Sequence, residues 1–456
     1  MINTFISNSK HIITINSINS RGEGVGRINN LVVFVPCGVP GDQVEIKIEI
    51  IKKNYSTARI IDIIKPSSHR VEPPCEYFGS CGGCTFQHID YNYQLYLKEN
   101  LLKENLKKIG RIQTEVVKEI IPSDNIWNYR NKVQLVIKNQ KGNATPGFFR
   151  RDSHDLVHIK SCPIQHDLSN KVVERIVPLL SRWTIYNERR CSGLLRYIIC
   201  KTSFSNKETL CTLVCNEKAI PDREKFLENL KQITCLAGVV QNFNPSRSNV
   251  VMGEENFLLS GRNYIVEEIK NIKFMISSSS FFQVNTCQIE KMYDVISSII
   301  SPLNIKQAID AYCGIGTFSL FLSRYGGYVF GIEENTEAVS MAKKNMELNN
   351  MTNIDFIAGQ VEDLLYNIGC DKKIELIILD PPRKGCEGDI LKIIRKLDIK
   401  HIIYISCNPA TLARDLLILR ELEYEVKLVQ PVDMFPHTPH VESICYLQKK
   451  SSDDII

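Results

Sequence analysis

Asp310-Ala311-Tyr312-Cys313-Gly314-Ile315-Gly316-Thr317 decides the fold. The apolar run Ala308–Tyr312 reads as a buried strand, and Gly314 and Gly316 make the turn into a helix where backbone can come close to a ligand. Four further buried-strand runs follow: Tyr328–Ile332, Ile354–Ala358, Ile374–Leu379 and His401–Ser406. Helical segments separate them, notably Glu337–Asn349 and Ile390–Leu397. Strands alternating with helices mean βαβ units and a parallel sheet. Tyr424–Val432 and Val441–Gln448 read as two closing strands.

The second strand ends in Gly331-Ile332-Glu333, about 20 residues after the glycine turn, where an acidic residue can bind a ribose hydroxyl pair. Dinucleotides and S-adenosylmethionine both use this arrangement. The third glycine of the dinucleotide fingerprint would fall at Ser319, which argues against a pyrophosphate ligand.

Two later strand ends carry chemistry. Ile402-Ile403-Tyr404-Ile405-Ser406-Cys407-Asn408-Pro409 runs an apolar strand straight into a polar turn. Carboxyl ends of such strands face the ligand crevice, so the Cys407 thiol is offered to a substrate. Glu442, in the segment Asp433–Glu442, follows 35 residues later as a candidate base, and the pair suggests covalent catalysis. The plain alternative for Cys407 is a buried, inert thiol. Asp380-Pro381-Pro382-Arg383-Lys384-Gly385 follows the fourth strand, and its prolines force a rigid turn that would hold Asp380 over the crevice.

Ahead of this sheet the texture differs. His11–Ile15, Leu31–Val35, Gln43–Ile50 and Ser56–Ile64 are short strands with turns between them, as in a small β-barrel. Gly22, Gly24 and Gly26 mimic a phosphate loop, but no helix follows and they read as hairpin glycines. Pro66–Pro74 is a linker. Gln94–Gly110 is an amphipathic helix with Leu95, Leu102, Leu106 and Ile109 at helical spacing. From residue 129 to about 265, the runs Lys132–Ile137, Leu194–Thr202, Thr209–Cys215, Gly238–Asn242 and Asn249–Met252 suggest an antiparallel α+β region.

The 456 residues leave room for about three domains. Charged residues are 23% and hydrophobic ones 43%, as in soluble globular proteins. No apolar run approaches the roughly 20 residues of a membrane helix. The polar start, Met1 to Arg21, lacks the apolar core of a signal peptide, which implies the cytoplasm. Net charge is +5, and residues 98 to 160 hold thirteen basic against seven acidic side chains. A polyanionic partner such as nucleic acid would account for that excess, as would ordinary solvated surface.

Sixteen cysteines are too few for a disulfide scaffold of this length, and in a reducing compartment they are free, catalytic or metal-bound. Cys75, Cys81 and Cys84 are close in sequence and flanked by glycines, a set that suits a soft metal. Cys162, followed by Pro163, is the candidate fourth ligand. Four thiolates suit a structural zinc or a [4Fe–4S] cluster. Cys162 has no close second thiol, unlike the paired spacings of zinc sites, which counts toward iron–sulfur while both stay open on the residues alone.

On these motifs the chain resembles the RNA uracil-5 methyltransferase family, most closely its bacterial 23S ribosomal RNA branch. Asp380-Pro-Pro-Arg-x-Gly, Tyr404-x-Ser-Cys-Asn-x-x-Thr411, Asp433-x-Phe-Pro-His-Thr-x-His-x-Glu442 and Phe282-Gln283-Val284-Asn285 carry the likeness. It implies a multidomain fold: a TRAM barrel that binds RNA at 1–66, a central α+β iron–sulfur and RNA-binding domain at 67–92 and 123–265, and an α/β class I (Rossmann-like) methyltransferase domain at 93–122 and 266–456. It also implies Cys407 as nucleophile, Glu442 as base, and Gln283, Tyr312, Gly314, Gly316, Glu333 and Asp380 as contacts to S-adenosylmethionine or the site. Cys75, Cys81, Cys84 and Cys162 would hold the cluster. The expected substrate is a uridine in RNA, flipped out of its stack, with Phe282 or Phe435 stacking on it. His437 and His440 flank the base and read as hydrogen-bonded structural residues. The protein is expected to act as a monomer away from membranes. The same chemistry on transfer RNA is an alternative, disfavoured because the bacterial transfer RNA branch typically lacks both barrel and cysteine cluster. An amino methyltransferase would need an aromatic where Arg383 stands. A catalytically idle RNA-binding assembly factor would leave Asp380, Cys407 and Glu442 without purpose.

Overall fold

The computed structural model describes residues 8–451. The first seven residues of the expected barrel and leader-free start, and the last five of the chain, lie outside the described residues.

Alternating apolar residues build the first sheet. Six strands pair in the order Lys10–Thr14, Gln43–Ile51, Tyr55–Lys65, Leu31–Val35, Gly24–Ile28, Ser17–Ile18. Ile13, Ile15, Val33, Val35, Val44, Ile46, Ile48 and Ala58 fill the inside. The glycine run belongs to this barrel and opens no helix. A Cβ at Gly26 would lie 2.7 Å from Ile13 Cδ1, so glycine is needed where the two strands approach.

The central region is a seven-stranded sheet in the order Glu255–Gly261, Leu236–Phe243, Thr209–Cys215, Leu195–Thr202, Lys132–Gln140, Asn143–Phe149, Leu156–His158. It departs from the expected antiparallel layout at one pair. Thr209–Cys215 and Leu236–Phe243 run parallel, joined through the helix Arg223–Leu230. Asn249–Met252, expected as a strand, is a loop, because the buried Asn244 amide donates to the carbonyls of Val250 and Val251, both at 2.8 Å. A side chain there takes the acceptors a sheet neighbour would have used.

The last sheet has the order Ile354–Ala358, Tyr328–Glu333, Gln307–Ala311, Leu376–Leu379, His401–Ser406, Glu442–Lys449, Tyr424–Val432. Glu442–Lys449 alone runs against its neighbours. Strand order reverses between Gln307–Ala311 and Leu376–Leu379, and the ligand crevice of an open α/β sheet opens at that point. This is the class I methyltransferase arrangement. No helix among the described residues is long and apolar enough to cross a membrane.

One early helix belongs with this late sheet. Tyr91–Lys108 starts at Asp90, whose carboxylate accepts the Tyr93 amide, and packs on the helix Pro409–Glu421. Beyond it, Lys118 N and Ile121 N donate to Val429 O and Pro431 O, each at 2.9 Å, along the sheet's edge. The contact is locked by a fully buried ion pair. Lys98 Nζ donates to Asp433 Oδ1 at 2.5 Å and to Phe435 O at 2.9 Å, and Tyr91 OH donates to Asp433 Oδ2 at 2.8 Å. Burial pulls the Lys98 ammonium below its ordinary range, and the Asp433 charge holds it up. Removing one partner of such a pair strands the other charge. Lys98→Met is therefore expected to lose about 3–5 kcal/mol of stability in urea unfolding, and Lys98→Met combined with Asp433→Asn to regain part of that loss.

Candidate active site and four-cysteine cavity

Each side chain at the crevice is set by a local device. Asn408 caps the helix that follows the Cys407 strand: its Oδ1 accepts the Ala410 amide at 3.1 Å, with Pro409 in the first turn. The same Asn408 donates from Nδ2 to Arg383 O at 3.1 Å, and Thr411 Oγ1 donates there at 3.3 Å. The Asn-Pro-x-Thr run thus grips the Pro-Pro-Arg turn, and Cys407 and Asp380 become neighbours. Gly385 closes that turn at φ +80°, its N donating to Pro382 O at 2.8 Å. Tyr312 sits at φ +69°, a left-handed backbone that costs a residue with a Cβ about 1 kcal/mol or more and recurs at functional sites.

One cavity of about 760 Å³ is lined by Cys407, Glu442, Asp380, Gln283, Tyr312, Gly314 and Glu333. All but one of the residues expected at the crevice are therefore together. The exception is Gly316, which is not on the wall. It opens the helix Thr317–Ser323 at φ +87°, and a Cβ there would meet Leu320 Cδ1 at 2.4 Å. Ser319 donates to Asp310 Oδ2 at 2.5 Å, beneath the same loop. Glu333 shapes the loop too: its two oxygens accept Gly314 N at 3.0 Å and Asn335 N at 2.9 Å.

The electrostatics are unusual. Burial pushes Glu442 well above the ordinary carboxylate range, the Asp380 charge adds to this, and Arg383 opposes it. Burial raises Asp380 to about 7 while a hydrogen bond from Gln283 Nε2, at 3.4 Å, holds it down. The Cys407 thiol is raised to about 11, by burial first and then by Glu442, with Arg383 pulling it back. His440 also lines the cavity, and burial lowers it to about 4, so it is neutral. His437 stacks on Trp127 with ring centres 3.9 Å apart and bonds Gln94.

Arg383 also lines the cavity and draws both Glu442 and Cys407 down, a place the sequence reading did not assign it. Its position after two prolines was the available signal. The two aromatic rings expected at the base are placed differently. Phe435 lines the cavity, but Phe282 is buried in the core against Phe274, and its exposed neighbour Phe281 faces the cavity instead. In extended chain, consecutive side chains point opposite ways, and a one-residue choice decides which is wet.

Cys75, Cys81, Cys84 and Cys162 line a second cavity, of about 330 Å³, with Tyr77, Phe78, Phe148 and Ile159. Burial raises Cys84 to about 12 and Cys162 to about 11, and the other thiols add to both shifts. Gly82 N donates to Phe149 O at 3.0 Å, and Cys81 bridges Arg150, which seats the loop on the central sheet. Among the described residues no group of three His, Cys, Asp or Glu side chains converges as for a bare ion. Thr438 lines this cavity and His440 the other, so one short loop divides them.

The chain is similar to known proteins over nearly its whole length. It is 40% identical over 442 residues to an uncharacterised RNA methyltransferase of Clostridium tetani, covering 96% of both chains. It is 40% identical over 446 residues to one of Caldanaerobacter subterraneus, covering 96% of this chain and 98% of the relative. Its structure matches that of the Pyrococcus abyssi tRNA (uracil-54, C5)-methyltransferase in complex with S-adenosyl-L-homocysteine, at a TM-score of 0.77 and 28% identity over 95% of this chain and 98% of that one. A TRAM domain model matches residues 10–61, and the tRNA (uracil-5-)-methyltransferase model matches residues 90–450. The protein belongs to the tRNA (uracil-5-)-methyltransferase family of RNA-modifying enzymes, with a TRAM domain at its front.

Proposed function

We propose that this RNA methyltransferase adds a methyl group to C5 of a uridine in 23S ribosomal RNA through a covalent bond between Cys407 and C6. The observation that carries the reading is the meeting of Cys407, Glu442 and Asp380 in one cavity with Gln283, Tyr312, Gly314 and Glu333. The methyl-donating substrate is S-adenosylmethionine, a sulfonium cation. Even without the buried Asp380 and Glu442, four acids, Glu333, Glu334, Glu362 and Glu387, against Arg383 and Lys384 give the wall an excess of negative charge that favours it. Residues 93–122 and 266–456 would carry this chemistry, while 1–66, 67–92 and 123–265 would hold the RNA.

C5 of uracil is a poor nucleophile. The Cys407 thiolate attacks C6, a sulfur–carbon bond forms, and the ring electrons move to the C4 oxygen. C5 then takes the methyl group as the donor's sulfur–methyl bond breaks. Glu442 removes the C5 proton, the C5–C6 double bond returns, and the Cys407–C6 bond breaks. A carboxylate raised by burial is the stronger base for that step. Asp380 would hold the uracil edge while charge develops at O4. Phe281 and Phe435, beside Tyr312 and His440, are rings on the wall available to a base flipped into the cavity.

Transfer RNA is the second reading. It is favoured by the likeness to the Pyrococcus abyssi transfer RNA enzyme, which extends over 95% of this chain, barrel included. Mapping 5-methyluridine in both RNAs from cells lacking the gene separates them: a site lost from 23S RNA supports the first, one lost only from transfer RNA the second.

The four thiols fit a [4Fe–4S] cluster held by Cys75, Cys81, Cys84 and Cys162. All four thiols line one cavity of about 330 Å³, room for a polynuclear group with thiolate ligands. A bound cluster would supply thiolate-ligated iron that cross-links the loop to the central sheet.

Three outcomes test these assignments. Cys407→Ala is expected to abolish turnover, and Glu442→Gln to accumulate a protein–RNA adduct visible on denaturing gels; normal methylation by Cys407→Ala removes the covalent scheme. Only the thiolate is alkylated, and burial and Glu442 push Cys407 up to about 11. Its alkylation, followed by mass spectrometry of its peptide, should therefore rise about tenfold per pH unit between pH 7 and 10, and fall in Arg383→Gln, which lacks the cation that favours thiolate. Protein purified without oxygen should be brown and contain iron; stoichiometric zinc without iron overturns the cluster.

A further inference from the structure

The wall between the two cavities is held by two buried side-chain amides. Asn131 lies on the chain that runs beside the Cys162 loop: Asn128 N donates to Pro163 O, Arg130 N to Ile164 O and His166 N to Arg130 O, at 2.9 to 3.0 Å. The next residue turns to the other cavity. Asn131 N donates to Val284 O at 2.9 Å, and its Nδ2 donates to Gln283 O at 2.9 Å and Thr286 Oγ1 at 3.1 Å. Gln283 in turn reaches Asp380. Residues one to four places beyond Cys162 are thus two hydrogen bonds from the residue whose side chain steadies Asp380.

Gln94 does the same on the other side. Its Nε2 donates to Phe86 O at 3.0 Å and Ile89 O at 2.8 Å, just past Cys84. Its Oε1 accepts His437 N at 3.0 Å, and its Nε2 lies 3.3 Å from His437 Nδ1. His437 O closes the circuit by accepting Thr85 N and Phe86 N, both at 3.0 Å. Five residues later the chain reaches Glu442. Gln94 and Asn131 are both buried, so no water can replace what they hold.

We propose that Asn131 and Gln94 are positioning residues that couple the four-cysteine loops to the methyl-transfer cavity, Asn131 by fixing Gln283 and Gln94 by fixing the loop into Glu442. The proposal rests on the reading of that cavity as the donor and uridine site. Coupling of this kind is reciprocal: a ligand that orders the cavity must steady the cysteine loops. The two amides act on different walls and therefore on different steps.

The test uses the full chain with S-adenosyl-L-homocysteine as probe. In the unmodified protein, binding is expected to slow hydrogen exchange in segments 128–131 and 162–166 as well as in the cavity wall. In Asn131→Ala the protection of 162–166 should vanish and the affinity for the probe fall about tenfold. In Gln94→Leu the affinity should stay, while resolution of the protein–RNA adduct slows about tenfold, a kcat effect without a donor KM effect. Binding to the unmodified protein that leaves 128–131 and 162–166 unprotected overturns the coupling alone, and it does so even where a variant fails to fold. Failure of the unmodified protein to bind the probe removes the reading of the cavity and the coupling with it.

Discussion

The loop that carries Glu442 depends on a single buried charge. Asp433 opens the segment that ends at Glu442, and it has no water to solvate it. Lys98 and Tyr91, both from one helix near the front of the chain, supply its hydrogen bonds. Lys98 also takes Phe435 O, so the first turn of the loop is fixed by the same ammonium. Taking two charges out of water is costly, and an ion pair repays it only when its remaining bonding positions are filled. Here they are, and what the arrangement secures is the direction in which the chain leaves Asp433 and arrives at Glu442.

From that fixed loop the chemistry of the cavity follows. Glu442 can be wholly buried because its own segment is rigid. Burial is what raises it, and Asp380 raises it further. Cys407 then faces two acids and one guanidinium. A resting, protonated thiol is the consequence.

Much of this was legible in the sequence. Apolar runs separated by helical segments announced the parallel sheet, and motifs at strand ends marked Cys407, Asp380, Glu333 and Glu442. Strand-end residues can be read this way because one face of their position is dictated by the sheet. What was not legible depended on partners far along the chain. Periodicity in the first helix pointed to Leu95 and Ile109, yet Leu95 is half-buried, Ile109 is exposed, and Gln94, Leu97 and Lys98 are inside. A lysine reads as the wet face of a helix unless its acid is known, and that acid lies 335 residues away. Phe281 and Phe282 could be told apart only by which side the core lies on. Asn249–Met252 looked like a strand until Asn244 was seen to take its carbonyls.

The same separation has a consequence for synthesis. The helix Tyr91–Lys108 leaves the ribosome long before the sheet it packs on exists. At about 5–20 residues per second, Lys98 waits on the order of 20–70 s for Asp433. During that interval Leu102 and Leu106 have no core to join, and the nascent chain carries an apolar stripe in the open. The last strands to be made are the ones that seal it, so the enzyme cannot complete its active site until translation is nearly over.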